Sequence, residues 1–260
     1  MNIISKKYKT FVAVGDNHGH LVSKEAQEAL YKFLQKNPCD IRIHLGDLND
    51  FGAWRSGASA EDIEEGTEND LKCGREFLNI IRPTVFHYGN HDKRALEQIY
   101  SRRGDTAEAA QRAVRYVLDS LENVGCREIY SYKVVGDKNT DISLHRIGKL
   151  VTTHGFFCGT NATRNAAIKL GRPGDVVIHG HTHDFNLITV EHLENPIVGV
   201  SAMCMMDINQ AEYCNTRPAT TRWTNGWTYG VIEENTGLCK VWTAHKFNNQ
   251  FITTTGFELL

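Results

Sequence analysis

The feature that most restricts the fold of this sequence is a short polar motif that follows each of five predicted strands. The motifs are Asp16-Asn17-His18, Gly46-Asp47-Leu48-Asn49-Asp50, Gly89-Asn90-His91-Asp92, His154-Gly155 and Gly180-His181-Thr182-His183. The residues before them form short apolar runs, which are typical of strands buried on both faces. Polar loops at the ends of such strands predict an α/β sheet with a site along its carboxyl edge.

The spacing of apolar residues predicts the order of the elements. Ser23 is a candidate cap for a helix over residues 24–36, whose Leu30 and Leu34 fall on one stripe. Strands are predicted at 11–14, 41–45 and 84–88, before the motifs at 154 and 180, and at 187–190, 197–200, 227–232 and 238–242. Strands that alternate with helices favour the α/β class.

A helical segment is predicted from about 93 to 123, as an insertion in a single domain that spans residues 1–260. Asp105 and Glu108 have the spacing of a capping box, and Gly125 lies just beyond the predicted end of the helix. Between Lys93 and Tyr116 the chain holds six basic residues and three acids, which indicates either a solvated face or a basic wall that guides a phosphate substrate.

Composition excludes several classes of protein. The 260 residues carry a net charge of -2, which lacks the strongly basic character of proteins that grip duplex nucleic acid. The apolar runs are far shorter than the roughly 18 residues of a membrane span, and no signal peptide is predicted. Seven cysteines without a Cys-x-x-Cys pair indicate free thiols in a reducing compartment, so the predicted location is the cytoplasm. No feature of the sequence sets an oligomeric state.

The motifs contain seven candidate metal ligands, which are Asp16, His18, Asp47, Asn90, His154, His181 and His183. In extended backbone, residues two apart project to the same side, so the pair Asp16 and His18 and the pair His181 and His183 are each predicted to hold one ion. Imidazole and carboxylate together favour divalent transition metals over magnesium. Seven ligands are too many for a structural zinc site, but they suit two ions that share one carboxylate.

In this order the motifs resemble the calcineurin-like metallophosphoesterases, over roughly residues 10–185. The resemblance implies a four-layer α/β/β/α sandwich with two metal ions, usually assayed with manganese, while iron, zinc or nickel also suit the ligands. It implies one ion held by Asp16, His18, Asp47 and His183, and a second held by Asp47, Asn90, His154 and His181. It further implies that His91 protonates the leaving oxygen and that Asp92 orients His91.

The implied activity is hydrolysis of a phosphate ester by a hydroxide that bridges the two metal ions. The expected substrate is either a phosphodiester, in a nucleotide or a short single-stranded nucleic acid, or a phosphomonoester. A nuclease or nucleotide phosphodiesterase is favoured over a protein phosphatase. Protein phosphatases of this family continue the second motif with Arg-Gly, whereas this chain reads Phe51-Gly52. Candidates for contact with the phosphate are Asn90, Arg55, Lys93 and Arg94. The stretch around Phe51 and Trp54 is also similar to phosphoesterases carried by bacteriophages.

Three alternatives remain open at this stage. They are a protein phosphatase-like monoesterase, a binding or scaffold protein that has lost catalysis, and a DNA-binding module that uses the helix around 102–115. Trp223 and Trp227 are either ligand-binding aromatics or sheet packing, of which packing is the commoner use. His44, His87 and His179 precede the motifs and are predicted to be hydrogen-bonded histidines of the core.

Overall fold

The computed structural model describes residues 7–132, 144–210, 218–248 and 250–253. The strands are β1 (Tyr8–Val14), β2 (Ile41–His44), β3 (Val85–His87), β4 (Glu128–Tyr130), β5 (His145–Ile147), β6 (Leu150–Thr153), β7 (Val176–His179), β8 (Phe185–Val190), β9 (Ile197–Ala202), β10 (Gly226–Glu233), β11 (Cys239–Phe247) and β12 (Gln250–Ile252). The helices are α1 (Lys24–Lys36), α2 (Ala60–Glu65), α3 (Glu68–Ile81), α4 (Asp92–Ser101), α5 (Asp105–Asn123) and α6 (Ala162–Leu170).

The strands form two sheets. The first has seven strands in the order β12-β11-β10-β1-β2-β3-β4, and the second has five in the order β5-β6-β7-β9-β8. Strands β1 to β4 run parallel to one another, as do β6, β7 and β9. Within each sheet the carboxyl ends of these strands therefore lie at a common edge, where the motif loops begin.

Alternation along β1 shows how the layers are built. Phe11 and Ala13 belong to a buried cluster that includes Ile178 of the second sheet. Val12 and Val14 point the other way, into a cluster with helical residues such as Leu30. Helix α6 packs its own cluster against the outer face of the second sheet. The layers are helix, sheet, sheet and helix, which confirms the predicted four-layer sandwich.

The helix predicted over 24–36 is α1, and the Ser23 hydroxyl accepts a hydrogen bond from the Ala26 N–H at 3.3 Å. The capping box predicted at Asp105 is wrong. Helix α5 begins at Asp105 itself, and its N-cap is Gly104, at φ 66° and ψ -144°, with no side-chain cap. This conformation is accessible chiefly to glycine, so the chain enters the helix one residue earlier than predicted. A capping box does form at Ser59 and Asp62.

Helices α4 and α5 occupy the segment predicted to be helical from about 93 to 123. Ala110 and Leu121 of α5 are fully buried, so this helix contributes its apolar face to the core. That the segment is an insertion in a single domain over 1–260 stays a prediction. The cysteines that the structure describes form no disulfide with one another, and Cys214 lies outside the described residues.

Candidate metal centre

The loops after β1, β2, β3, β6 and β7 meet at one edge of the two sheets. They carry the seven donors predicted from the sequence, which are Asp16, His18, Asp47, Asn90, His154, His181 and His183. Six of these form two groups in which the ligand atoms lie within 4.8 Å of one another. The seventh, Asn90, places its Oδ1 2.9 Å from His154 Nε2. The structure therefore brings the whole predicted set together.

The predicted extended backbone at the paired donors is wrong, because left-handed backbone is concentrated there, and His181 and His183 belong to different groups of donors. The φ angles are 52° at Asp16, 50° at His18, 51° at Asp47, 72° at His181 and 58° at His183. Non-glycine residues adopt this region at a cost of about 1–3 kcal/mol each, and they do so mainly at functional sites. Backbone hydrogen bonds hold the strained turns, as when the Asp16 N–H donates to the Gly46 carbonyl at 2.9 Å.

Two motif glycines make room for the carboxylates. A Cβ on Gly89 would lie 2.0 Å from Asp47 Oδ1, and a Cβ on Gly180 would lie 2.5 Å from Asp16 Oδ2. Any side chain at either position would collide with a predicted ligand. The glycines are thus needed for close approach of backbone and carboxylate.

One set of donors, here called the buried group, consists of Asp16, His18, Asp47 and His183, all of them buried. His183 Nε2 lies 3.2 Å from Asp16 Oδ1 and 3.3 Å from His18 Nε2. His18 Nε2 is 3.8 Å from Asp47 Oδ2. Two imidazole nitrogens and two carboxylates that face one point form a donor set for one divalent transition-metal ion.

The surroundings set the protonation state of the buried group. Burial raises the pKa of the Asp16 carboxyl, but the neighbouring His183 and His154 outweigh burial and leave that pKa below its usual value. Burial, helped by the nearby His91, lowers the pKa of His18. The carboxylate is thus ionised and the imidazole neutral, which are the forms that bind metal.

The other set, here called the cavity-side group, consists of Asp47, Asn90, His154 and His181. The Nδ1–H of His154 donates to the Leu45 carbonyl at 2.9 Å, so its Nε2 carries the lone pair. That nitrogen and Asn90 Oδ1 are then two acceptors 2.9 Å apart, an arrangement that suits a shared cation. Burial lowers the pKa of His181 to about 4, which keeps its ring neutral as well.

Asp47 belongs to both groups. Its Oδ1 accepts a hydrogen bond from the His91 N–H at 2.8 Å. Its Oδ2 lies 3.5 Å from His154 Nε2 and 3.8 Å from His18 Nε2, so it faces donors of both groups. The donors therefore fit two ions that share one carboxylate, as the sequence predicted.

His91 lies beside this carboxylate, with its Nε2 4.0 Å from Asp47 Oδ2. Its Nδ1 is 2.8 Å from Asp50 Oδ1, and Arg94 donates to its Nε2 at 3.2 Å. Burial lowers the pKa of the His91 imidazole, but the carboxylates of Asp47 and Asp50 outweigh burial and leave it above its usual value. His91 is thus poised to carry a proton near neutral pH.

The carboxylate that contacts the His91 ring is Asp50 rather than Asp92, which corrects the role predicted for Asp92. The Asp92 side chain points back and accepts hydrogen bonds from the N–H groups of Leu48, Asn49 and Gly89 at 2.9–3.3 Å. Burial, with the added charge of Asp47, raises its pKa to about 7. Asp92 therefore holds together the loops that carry Asp47 and Asn90.

Sequence reasoning missed Asp50, although it is the last residue of its motif. Its Oδ1 also lies 2.9 Å from His18 Nδ1, so one carboxylate positions both a predicted ligand and His91. Contacts with the histidines hold its pKa well below the usual range despite burial. The recurrence of a second Asp in the Gly46–Asp50 motif was the signal that could have pointed to it.

A cavity of about 440 Å³ opens above the cavity-side group. Three predicted substrate-binding residues, Asn90, Arg55 and Arg94, line it. Arg94 donates to the Asp50 carbonyl at 2.6 Å, and Arg55 forms an ion pair with Asp62. The fourth candidate, Lys93, pairs with Glu97 and is not among the residues that line this cavity.

The two tryptophans differ in location. Trp227 is 1% exposed and belongs to the core, whereas Trp223 lines the cavity with its ring centroid 4.3 Å from that of His183. The histidines before the motifs are core residues, as predicted. His44, His87 and His179 hydrogen-bond to Asn17, Thr152 and Thr163, respectively.

Cys158 is an exposed residue that sequence reasoning did not select. Its Sγ lies 3.2 Å from His181 Nε2 at the rim of the cavity. No local pattern marks it, because the contact joins residues 23 positions apart in the chain.

The fold and the donors define a four-layer α/β protein with two adjoining groups of metal ligands. Residues 9–185 match the Metallophos family, described as calcineurin-like phosphoesterase. Because the match covers more than half of the chain, this protein belongs to the calcineurin-like phosphoesterase family.

The chain is also similar, at low identity, to three solved structures. A single mutant of Vps29 from Entamoeba histolytica is 14% identical, with a TM-score of 0.39, and the match covers 92% of this chain and 99% of that one. A 5'-nucleotidase precursor from Thermus thermophilus is 11% identical, with a TM-score of 0.43, and the match covers 91% of this chain and 54% of that one. Vps29 from Chaetomium thermophilum is 11% identical, with a TM-score of 0.39, and the match covers 91% and 96%.

No curated protein sequence matches the chain at a significant level. Among the residues that the structure describes, no helix combines the length and the apolar character that crossing a membrane requires.

Proposed function

We propose that this protein is a metal-dependent phosphoesterase that hydrolyses a phosphodiester in a nucleotide or a nucleic-acid strand, with a phosphomonoester as the alternative substrate. The observation that carries the proposal is the position of Asp47. Its carboxylate belongs to both donor groups and lies 4.0 Å from His91 Nε2. A carboxylate shared by two ions holds them at the spacing that ester hydrolysis uses, and a neighbouring group that moves a proton can assist the leaving oxygen.

The proposed cofactor is a pair of divalent transition-metal ions, with manganese first and iron, zinc or nickel as alternatives. The buried group would hold one ion, and the cavity-side group would hold the other. When bound, two such ions supply positive charge that lowers the pKa of water and stabilises the phosphoryl oxygens. The protein contributes ligands that are already in their metal-binding protonation states.

His91 is the proposed general acid, which donates the proton of its Nε2 to the leaving oxygen. Asp50 orients the ring from the opposite nitrogen and stabilises its protonated form. The Arg94 guanidinium donates a hydrogen bond to this Nε2 at 3.2 Å. We propose that a substrate phosphate draws the Arg94 guanidinium away from His91. A phosphate can accept two parallel hydrogen bonds from the planar guanidinium, whereas the His91 nitrogen accepts one.

Asn90, Arg55 and Arg94 are the proposed contacts with the substrate, since all three line the cavity next to the donors. The cavity volume of about 440 Å³ lies in the range of small-molecule sites. Phe51, which stands where protein phosphatases of the family have arginine, is 2% exposed and stacks on Trp54. It supplies no cation to the cavity, which disfavours the protein phosphatase alternative. The cytoplasm is the proposed location.

The competing proposal is a scaffold protein with this fold. It predicts a decayed centre, whereas all seven predicted donors converge here and a carboxylate supports His91. The decisive experiment is hydrolysis of bis-p-nitrophenyl phosphate and p-nitrophenyl phosphate by metal-stripped protein with added manganese. His91→Ala is the test variant, and His192→Ala, which alters an exposed histidine outside the site, is its matched control.

We expect manganese-dependent hydrolysis that falls about 100-fold or more in His91→Ala, the range in which general acids contribute, and that persists in His192→Ala. A higher rate on the diester than on the monoester supports nucleic-acid or nucleotide substrates. Absence of hydrolysis with manganese, iron, zinc and nickel, in protein shown to bind the metals, would contradict the enzyme and favour the scaffold.

A further inference from the structure

A second cavity of about 770 Å³ adjoins the metal centre. We propose that this cavity, here called the aromatic groove, binds the bases of a single-stranded nucleic acid whose scissile phosphate lies at the metal centre. Its walls come from the loop before α2, from α4 and from the residues after β4, and the lining residues that matter are Trp54, Arg55, Lys93, Tyr100, Arg102 and Tyr132. The inference rests on the proposed phosphoesterase activity and adds the substrate class.

Aromatic side chains are the first feature that suits this ligand. Tyr100 is 86% exposed, although tyrosine rings are usually at least partly buried against the rest of the protein. Trp54 lines the same groove and is fixed by stacking on the buried Phe51, with ring centroids 5.1 Å apart. Tyr132 is half-buried in a third wall. Rings arranged along a groove are stacking platforms for unpaired bases, whatever the sequence.

Charge is the second feature. The groove is lined by three cations, Arg55, Lys93 and Arg102, and by one acid, Glu97. Arg55 forms an ion pair with Asp62 and Lys93 with Glu97, whereas Arg102 is exposed and forms no ion pair with another residue that the structure describes. On its other side Arg55 lines a smaller cavity of about 240 Å³, whose walls include Glu61, Asp62 and Glu65. Phosphates are attracted to the cationic side and repelled from the acidic one. The charge of the aromatic groove therefore suits a polyanion better than the charge of this acidic cavity does.

Continuity with the metal centre is the third feature. Arg55 lines both the cavity above the donors and the aromatic groove. Tyr132 also links the two, because its ring stands edge-on to that of His154 with centroids 5.6 Å apart. If one phosphate of a nucleic-acid strand lies at the metal centre, the nucleotides next to that phosphate therefore lie in the aromatic groove. Paired bases inside a duplex cannot stack on Tyr100, so the occupant is a single strand.

The test is binding of a fluorescein-labelled ten-nucleotide DNA strand, followed by fluorescence anisotropy with manganese at several salt concentrations. The His91→Ala background slows cleavage during the measurement. Tyr100→Ala removes the exposed ring, and Arg102→Gln removes an exposed cation. Matched controls are Tyr31→Ala, a 49% exposed tyrosine of α1, and Arg172→Gln, an exposed arginine before β7 at the opposite sheet edge.

We expect Tyr100→Ala to weaken binding by about 5- to 100-fold, as for loss of one base-stacking ring. The binding constant K falls as salt rises, and Arg102→Gln should make the slope of log K against log salt less steep by about 0.7. This change corresponds to the loss of one phosphate contact on a single strand. The two control variants should bind like the parent protein, and a duplex of the same sequence should bind more weakly than the single strand.

Three results would overturn the inference. They are no binding of the strand, equal binding by Tyr100→Ala and the parent protein, or duplex binding as tight as single-strand binding. Each is distinct from failure of the proposed function, because wild-type hydrolysis of bis-p-nitrophenyl phosphate tests the metal centre without the groove's ligand. Hydrolysis of bis-p-nitrophenyl phosphate without binding of the labelled strand would contradict the proposed role of the aromatic groove and support the proposed phosphoesterase.

Discussion

The buried group and the cavity-side group contain similar donors but lie in different surroundings. Asp16 and His18 are fully buried and do not line the cavity, and His183, although only 4% exposed, lies at its wall. Asn90 and His181 are partly exposed and line the same cavity. Asp47 is the one carboxylate that the two groups share. The difference suits two tasks, since an ion in the buried group would be held firmly and an ion in the cavity-side group would be accessible to substrate.

The supporting contacts differ in the same way. His18 of the buried group is positioned by the Asp50 carboxylate at 2.9 Å. His181 of the cavity-side group is contacted by the Cys158 thiol at 3.2 Å, at an exposed rim. A buried charged acceptor orients an imidazole far more strongly than an exposed sulfur does. The comparison predicts a gradient of effects when individual residues are replaced.

The largest effect is expected for Asp47→Asn, which removes the charge common to both groups while keeping the shape of the side chain. We expect both ions to be lost and kcat on bis-p-nitrophenyl phosphate to fall more than about 100-fold, since loss of a residue that merely supports a ligand already reduces activity 10- to 100-fold. Metal analysis after gel filtration measures the first effect, and steady-state kinetics the second. Asp119→Asn, at an exposed carboxylate of α5, should retain both ions.

The pair His183→Ala and His181→Ala separates the two groups. Each variant should keep about one metal ion, the one whose ligands are intact. Because the buried group is shielded from solvent, the ion left in His181→Ala should exchange with a chelator more slowly than the ion left in His183→Ala. Chelator-chase kinetics followed by metal analysis measure this order. Equal exchange rates in the two variants would show that burial does not distinguish the groups.

Asp50→Asn tests the carboxylate that serves both His18 and His91. We expect kcat to fall about 10- to 100-fold, the range for residues that orient ligands, with a smaller change in KM because the substrate contacts remain. The protein should keep its fold, which circular dichroism would check. A change in KM alone would contradict the assignment of Asp50 as a positioning residue and point instead to substrate binding.

The smallest effect is expected for Cys158→Ala, which removes the sulfur contact with His181. Affinity for the more weakly held ion should fall about 2- to 10-fold, as for loss of one ordinary hydrogen bond, and the other ion should be retained. Manganese titration of the stripped protein gives both affinities. Cys73→Ala, at a half-buried thiol of α3, is the control. If Cys158→Ala lowered manganese affinity by about 10- to 100-fold, the size of the effect on kcat expected for Asp50→Asn, the proposed gradient of effects would be wrong.

Much of the centre could be predicted because its residues are local to strand ends. The apolar run before Asp16 and the one before Asp47 predict parallel strands, whose carboxyl ends must meet at one edge. The role of Asp92 could not be predicted in this way. Its carboxylate turns back to three backbone N–H groups, while Asp50, from a different loop, reaches the His91 ring.

The sequence by itself determined most of the strands, though not β4, β5 or β12, and the helix α1 with its Ser23 cap. It also indicated the candidate metal donors, because periodicity, caps and donor chemistry are properties of neighbouring residues. Only the tertiary structure decided how the two sheets bring distant donors together, as with His18 and His183, which are 165 positions apart. That distance is closed by packing between the sheets around Phe11 and Ile178. Contacts of this kind, like those of Asp50, Cys158 and Tyr132, depend on the packed core and leave no local pattern in the chain.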